Sequence, residues 1–424
     1  MKKVIPYIIG HIQLEELPGG EAFAIAPGQA YFFSCWWRQV PLGQFFIEQE
    51  EVFDAQVLEK KIFDAIEPAL RWYCAAAGLA PTDYRSLLLQ KRYTDFAMLL
   101  DTTLAAYAAV AADTVDVSVI ICTRNRPDDL QRCLQSLATQ TCQPREIIVV
   151  DNAPSDDSTR LLVEQYPAIR YYKEPRGGLS IARNAGLRIA TSQLVAFTDD
   201  DVSLHPLWLY HVAETFRKPG VYAMTGLVLP AALDTESQQL FEKEWSFNNG
   251  YCDRSYDSAY FRGSLAKGPK VWEIGAGANM AFRRGVFDTA GFFDERLGAG
   301  AAGCSEDSEM WYRILAAGLE IRYNPRAVVY HEHRKELTAL FRQLFSYMRG
   351  HTAAALIQQQ QIQEAGYRRY LYHKLTKSYL PLLVKNVFRH PFRYKMLQIQ
   401  VRGIFSGVLF YMRNRNKPPQ TNLT

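Results

Sequence analysis

Between Val117 and Asp201, short apolar runs alternate with stretches of helical periodicity, and this alternation narrows the fold more than any other feature of the chain. Val117-Ser-Val-Ile-Ile-Cys, Glu146–Val150, Ile169–Lys173 and the run beginning at Leu194 each have the length of one buried strand. A helix opens at Pro127 with Asp128 and Asp129 in its first turn, where the helix dipole favours them. Two more helices are expected from about Asp157 to Tyr166 and from Leu179 to Ala190. Strands joined through helices of this length make βαβ units, and βαβ units assemble a parallel sheet. Polar residues stand where the strands end: Thr123 and Arg124, then Asp151, then Asp199, Asp200 and Asp201. Ligands of open α/β sheets bind beyond the carboxyl ends of the strands, so this edge is the candidate site.

The three adjacent aspartates sharpen that expectation. Like charges so close repel unless a cation neutralises them. Hard divalent ions such as Mg²⁺ take one or two carboxylates and keep positions for phosphate oxygens. The plainer explanation is a solvated acidic turn that caps the next helix.

At 424 residues the chain is long enough for two or three domains. The formal net charge of +4 is small but unevenly spread, because no acidic residue follows Glu364 whereas twelve Lys and Arg residues do. Acidic partners are expected there, an anionic membrane surface rather than nucleic acid. Seven scattered cysteines without a Cys-x-x-Cys argue against a disulfide scaffold or a zinc ribbon and fit a reducing cytosol. Met1–His11 is basic but short and broken by Pro6, so it reads as a strand rather than a signal peptide. No uncharged apolar run reaches the length of a membrane span. The expected location is cytoplasmic, with peripheral attachment to the inner face of the membrane.

Three regions follow. Residues 1–112 make an α+β accessory domain: short aromatic strands around Ala30–Trp37 and Gln44–Glu48, then a helix over Ala55–Ala77 with Val57, Leu58, Ile62, Ile66, Leu70 and Tyr73 on one face. Trp36 and Trp37 are expected to be buried rather than to stack on a sugar. Residues 113–334 carry the α/β alternation, and residues 335–424 are helical and basic, starting with an amphipathic helix from Leu337. Pro230–Lys270 fits no pattern, and its Trp245, Phe247, Asn248, Tyr251, Tyr256 and Tyr260 are candidates for acceptor contacts, on a segment that could close as a lid.

Seven segments together resemble one family. Val117-Ser-Val-Ile-Ile-Cys-Thr-Arg-Asn-Arg, Ile147-Ile-Val-Val-Asp-Asn, Arg176-Gly-Gly-Leu-Ser-Ile-Ala-Arg-Asn-Ala-Gly, Thr198-Asp-Asp-Asp, Gly277-Ala-Asn-Met-Ala-Phe-Arg-Arg, Ser305-Glu-Asp-Ser-Glu and Tyr330-His-Glu-His-Arg are similar, in order and spacing, to the family 2 glycosyltransferases of the GT-A fold. That resemblance covers roughly half the chain, from about Val115 to Arg334. It implies a Rossmann-like, mostly parallel catalytic domain that binds a nucleoside-diphosphate sugar, commonly a UDP-sugar.

It also implies roles. Asp151 would accept the imide hydrogen of uracil, with Thr123 and Arg124 toward base and phosphate. Gly177 and Gly178 would let backbone approach the donor, Arg183 would reach diphosphate or an aspartate, and Asn184 would bind donor or fix its loop. Asp199 and Asp201 match the family's Asp-x-Asp, which holds Mn²⁺ or Mg²⁺, and Asp200 matches a position facing the donor sugar or ribose. His331 resembles the histidine that completes the metal site, with His333 its competitor. Asp307 would be the base of an inverting transfer to a saccharide or lipid-linked acceptor, with Glu306 orienting acceptor or base. Gly275–Asn279 would floor the acceptor side. Ser305 is expected to cap the helix that follows, yet relatives usually carry glycine there. The several spans and the Gln-x-x-Arg-Trp motif of the family's processive synthases are absent, which favours single-sugar addition. Two other readings compete: a non-catalytic glycan- or nucleotide-sugar-binding protein, and a haloacid-dehalogenase-type phosphatase built on Asp199-Asp-Asp-Val-Ser. The latter leaves Asp151 and Asp307 without roles.

Overall fold

The computed structural model describes residues 4–17, 25–26, 28–51, 55–79, 84–108 and 114–418. The expected boundary near residue 112 lies outside the described residues. In the N-terminal region β1 (Tyr7–Gln13) pairs parallel with β2 (Ala30–Trp37), which pairs antiparallel with β3 (Val40–Ile47). α1 (Ala55–Ala76), α2 (Tyr84–Leu89) and α3 (Tyr93–Leu104) cover this sheet. Ile62, Ile66, Leu70 and Tyr73 recur at helical spacing on α1 and are all buried in that small core. Trp36 and Trp37 are buried too: Trp36 stacks on His205 at 5.3 Å, and Trp37 donates Nε1–H to Asp101.

The large sheet has nine strands. β4 (Thr114–Thr123), β5 (Gln143–Asn152), β6 (Ile169–Glu174) and β7 (Leu194–Asp199) run parallel in the spatial order β6-β5-β4-β7. The helices between them are α4 (Pro127–Ala138), α5 (Ser158–Val163) and α6 (Leu179–Ile189). After β7 the chain turns through Asp200 and Asp201 directly into β8 (Val202–Leu204), so the acidic turn caps no helix. α7 (Trp208–Thr215) and β9 (Val221–Pro230) follow. The segment expected to contact acceptor folds into α8 (Glu236–Trp245), β10 (Arg254–Tyr256) and α9 (Ser258–Leu265). β11 (Asn279–Arg283) is antiparallel to both β7 and β9. After α10 (Val286–Ala290) and α11 (Glu306–Ala316), β12 (Glu320–His331) lies parallel to β9 and accepts β8 and β10 on its flank.

Strand alternation divides the core. Ile120, Ile148, Val150, Val195 and Phe197 bury against α6 and α11, while Val119, Ile121, Val149 and Ala196 bury against α4 and α7. This is the expected mixed α/β class with a parallel-rich sheet.

α12 (Leu337–Gln361) runs on through the glutamine-rich patch as one helix. α13 (Tyr367–His373), a π-helical turn (Lys374–Tyr379), α14 (Leu380–Asn386) and α15 (Pro391–Asn414) follow. α15 packs on α12 because Gly403 and Gly407 sit at the crossing; a Cβ at Gly407 would lie 2.5 Å from the Arg349 carbonyl oxygen. Among the described residues no helix is long and apolar enough to cross a membrane.

The N-terminal region is fastened to the large sheet by a buried cation. Arg326, on β12, forks onto Asp253 at 2.8 and 3.0 Å, donates to the Tyr73 hydroxyl at 3.1 Å and lies 4.5 Å from the Tyr107 ring centre. Removing it strands the Asp253 carboxylate in a largely dry site. Arg326→Met should therefore destabilise the protein by about 3 kcal/mol in denaturant unfolding, and adding Asp253→Leu should recover much of the loss.

Candidate active site

A cleft of about 970 Å³ opens along the carboxyl ends of β4, β5 and β7, and the C-terminal helices close its far side. Thr123, Arg124, Asn152, Gly178, Arg183, Asp199, Asp200, Asp201, Glu306, Asp307 and His331 all line it. Residues spread over more than two hundred positions of sequence thus meet at one sheet edge, where the topology predicts a ligand site.

The aspartate cluster is neutralised residue by residue. Asp199 caps β7 and faces the Arg183 guanidinium at 3.4 Å. Asp200 is buried and accepts from Thr123 Oγ1 at 2.8 Å and Arg126 Nη1 at 3.1 Å. Burial, then the neighbouring Asp201 charge, push its carboxyl up to about 7. Asp201 has the richest surroundings: Arg126 at 3.1 Å, Arg334 at 3.4 Å and His331 Nε2 at 3.5 Å. Burial opposes its ionisation, but His331 at the acidic pH where it is protonated, then Arg334 and Arg126, outweigh burial and hold its carboxyl below the ordinary range.

The two histidines are distinguished by their partners. His331 ends β12, lines the cleft and faces Asp201; His333 lies behind it, with Nδ1 3.1 Å from His331 Nδ1 and Nε2 3.0 Å from Glu242 on α8. Burial pushes the His331 imidazole down to about 4, against the pull of Asp201, so it is neutral at pH 7. With Glu242 accepting a hydrogen bond from His333 Nε2–H, His333 Nδ1 is the acceptor for His331 Nδ1–H. That leaves His331 Nε2 with a bare lone pair aimed at a carboxylate oxygen. Two acceptors facing one another at 3.5 Å make an arrangement that a cation between them satisfies. In the positions shown, no three His, Cys, Asp or Glu side chains among the described residues already form a closed ligand set. The donor types nonetheless fit a hard divalent ion, with oxygen from Asp199 and Asp201 and nitrogen from His331.

Across the cleft, Arg183 is fully buried and organises the floor. It pairs with Glu306, reaches Asp199 and the Gly277 carbonyl at 3.4 Å each, and lies over the Phe293 ring at 5.6 Å. Glu306 lines the cleft beside Asp307 and is held there by Arg183. Asp307 is different. It is half-buried on the cleft wall, its Oδ2 accepting from Gly277 N at 2.8 Å and its Oδ1 from Ser308 N at 2.6 Å. The Ser308 hydroxyl adds a third bond to Oδ1 at 3.2 Å, so neutral donors orient the carboxylate, which forms no ion pair among the described residues.

Not every expected residue lines the cleft. Asn184 lies off the cleft, its amide donating to the Phe293 carbonyl and accepting from the Phe293 N–H at 2.9 Å each, so it fixes a loop rather than binding donor. Asp151 is fully buried at the end of β5 and does not line the cleft; Tyr171 Oη donates to its Oδ2 at 2.9 Å, while Oδ1 has no partner. The adjacent Asn152 reaches the surface of the cleft instead, joining the Arg176 carbonyl and the Gly178 N–H at 2.7 and 2.8 Å. Asn279 is also buried, bracing the Leu227 and Ala327 carbonyls, and only Gly275–Ala278 line the floor. From the 230–270 segment, Trp245, Ser246, Phe247 and Asn249 line the cleft, whereas Tyr251 is tied to Gln44 and Tyr256 is buried. Its first helix, α8, is anchored by Gln238 and Glu242.

Arg126, Arg334 and Glu242 were not foreseen as site residues. The first two stood in the Thr-Arg-Asn-Arg and His-Glu-His-Arg strings and could have been picked out as the nearest cations to an acidic cluster. Glu242 carried no sequence signal.

Ser305 does not cap α11 as expected. Its φ of +71° is left-handed, and its hydroxyl makes no cap bond. A side chain in that conformation costs about 1–2 kcal/mol, which is why glycine suits the position. Ser305→Gly should raise thermal stability by about 1 kcal/mol without disturbing the cleft, measurable as an upward shift of the melting temperature.

A family model described as glycosyl transferase family 2 matches residues 118–291. The succinoglycan biosynthesis protein ExoM of Rhizobium meliloti is 31% identical over 248 residues, 55% of this chain and 73% of that protein. An uncharacterized glycosyltransferase, YibD, of Escherichia coli is 38% identical over 96 residues, 22% of this chain and 28% of that protein. The chain spans between about a quarter and a half of the length of several other curated relatives. Among solved structures, a mannosyltransferase of Pyrobaculum calidifontis in complex with GDP-Man and Mn²⁺ aligns at 16% identity and a TM-score of 0.44, covering 71% of this chain and 89% of that one. On the extent of these matches, the chain belongs to glycosyl transferase family 2.

Proposed function

We propose that the chain is an inverting, metal-dependent glycosyltransferase that moves a sugar from a nucleoside diphosphate, a UDP-sugar, onto a saccharide or lipid-linked saccharide. One observation carries the reading: the Asp201–His331 acceptor pair and the Asp307 carboxylate, held by neutral donors, line the same cleft, with Arg183 tying the Asp199 side to the Gly277 floor. A binding module needs neither feature, and a phosphatase would have no use for Asp307.

The donor would lie along β4, β5 and β7. Its base would bring an N–H to the unpartnered Asp151 Oδ1, displacing Tyr171 enough to open that pocket. Thr123 and Arg124, on the exit loop of β4, would contact the base and phosphate side, and the diphosphate would approach the Gly178 backbone at the start of α6, where N–H groups favour anions. A Mn²⁺ or Mg²⁺ ion held by Asp199, Asp201 and His331 would stabilise the diphosphate as it leaves. Arg334 and Arg126 keep Asp201 ionised for that task. The acceptor hydroxyl would sit over Gly277, where Asp307 takes its proton as the oxygen attacks the anomeric carbon from the face opposite the diphosphate. The Gly277 N–H holds Oδ2, and the Ser308 N–H and hydroxyl hold Oδ1, which leaves a lone pair on Oδ2 for the proton.

The membrane side of this reading rests on α14 and the turn after it. Val384 and Phe388 are 76% and 93% exposed, and Lys385, Arg389 and Arg393 flank them with no carboxylate after Glu364. Apolar side chains ringed by cations fit an anionic bilayer surface. Full-length protein should co-sediment with phosphatidylglycerol vesicles but weakly with phosphatidylcholine, and Val384→Glu/Phe388→Glu should abolish sedimentation; retention by that variant would place the contact elsewhere.

For the chemistry, Asp307→Asn should lower transfer at least ~10²-fold while leaving UDP binding in Mn²⁺ intact, since a general base contributes about 10²–10⁴. Calorimetry and a transfer assay with UDP-sugars separate the two effects. Full activity in Asp307→Asn would remove the residue from the mechanism.

A further inference from the structure

Beside the main cleft lies a second cavity of about 600 Å³, formed between the end of α9 and the α13–π-turn segment. Its wall carries Lys267, Lys270, Arg369, Lys374 and Lys377 against one carboxylate, Glu273. Glu273 is taken by Lys270 at 2.9 Å, and Lys374 leans on Tyr370, its Nζ 2.9 Å from the hydroxyl oxygen and 5.4 Å from the ring centre. Lys267, Arg369 and Lys377 have no carboxylate partner among the described residues. A concentration of like charge in a concave site is unfavourable unless an anion enters it.

The cavity is not isolated. Trp272, Glu273 and Lys374 line both it and the main cleft, so the two spaces meet at that wall. Trp272 packs edge-on against His351 at 4.5 Å and lies 5.5 Å from Tyr370, forming an aromatic step between them. His351 itself lines the main cleft, and its Nε2 is shut off from solvent without a hydrogen-bond partner. An aromatic step flanked by cations can take the face of a sugar while the cations take a charged substituent on it.

We propose that this second cavity is an acceptor subsite that binds a phosphate-bearing group, with the acceptor sugar passing over Trp272 toward Asp307. The proposal rests on the glycosyltransferase reading only for the word acceptor; the anion site stands on its own residues. The phosphate could belong to a lipid carrier or to a soluble phosphorylated saccharide, and the same chemistry recognises both.

The test is calorimetric titration of the full chain in EDTA with inorganic pyrophosphate and, separately, with farnesyl diphosphate. Wild type is compared with Lys267→Gln/Arg369→Gln/Lys377→Gln, which alters only exposed side chains. Both probes should bind wild type, and the triple variant should bind them roughly tenfold or more weakly. Tighter binding of farnesyl diphosphate than of pyrophosphate would identify the lipid carrier as the source, and equal binding a soluble phosphate. Equal affinity of wild type and variant, or no binding to wild type, would overturn the subsite. UDP titrated in Mn²⁺ on the same two proteins keeps the readings apart: it should be unchanged by the triple substitution, and failure of UDP to bind wild type would count against the donor site alone.

Discussion

Three consecutive carboxylates at the end of a buried strand are the constraint around which the rest of the site is arranged. Asp200 and Asp201 are almost wholly withdrawn from water, so each needs a counter-group or must stay protonated. The fold supplies those groups from distant parts of the chain: Arg126 from the exit of β4, Arg183 from α6, Arg334 and His331 from the end of β12. Each carboxylate receives a different share. Asp200 is left close to neutrality, Asp201 is driven toward ionisation, and Asp199, the most exposed, faces the shared Arg183. The same sequence motif therefore holds three chemically distinct acids.

Arg183 carries this organisation across the cleft. Because it pairs with Glu306 as well as Asp199, the helix that presents Asp307 is fixed relative to the aspartate cluster through one guanidinium. Behind the other wall the relay Glu242–His333–His331 sets which nitrogen of His331 faces Asp201. Each device includes a residue that lines the cleft, Arg183 in one and His331 in the other. α12 then brings Tyr347 and His351 back to the cleft, so the C-terminal helices form part of its wall.

Much of this was legible in the sequence, and the reason is periodicity. The βαβ alternation from Val117 to Asp201 gave the parallel strands, and strand-end polarity gave the cleft edge, since Thr123, Asp199, Asp200 and Asp201 all line it. Local spacing says nothing about partners distant in sequence, and the misreadings follow from that. Of the two roles open to Asn184, its bond to Phe293 109 positions away picks loop-fixing, and the tie of Glu306 to Arg183 123 positions away carried no local signal. Ser305 looked like a cap because serine before an acidic helix start commonly is one; the tight loop demanded a positive φ instead. Two histidines on one side of a strand end were equivalent in sequence until α8 supplied Glu242 to one of them.

The central claim is that His331 Nε2 offers a lone pair to a divalent ion shared with the aspartates. It is tested most directly by pulsed electron paramagnetic resonance of Mn²⁺ bound with UDP to protein labelled with ¹⁵N-histidine. A ¹⁵N coupling to Mn²⁺ should appear in wild type and vanish in His331→Gln, while persisting in His333→Gln at altered strength. Absence of any histidine coupling in wild type, or a coupling that survives His331→Gln unchanged, would contradict the account.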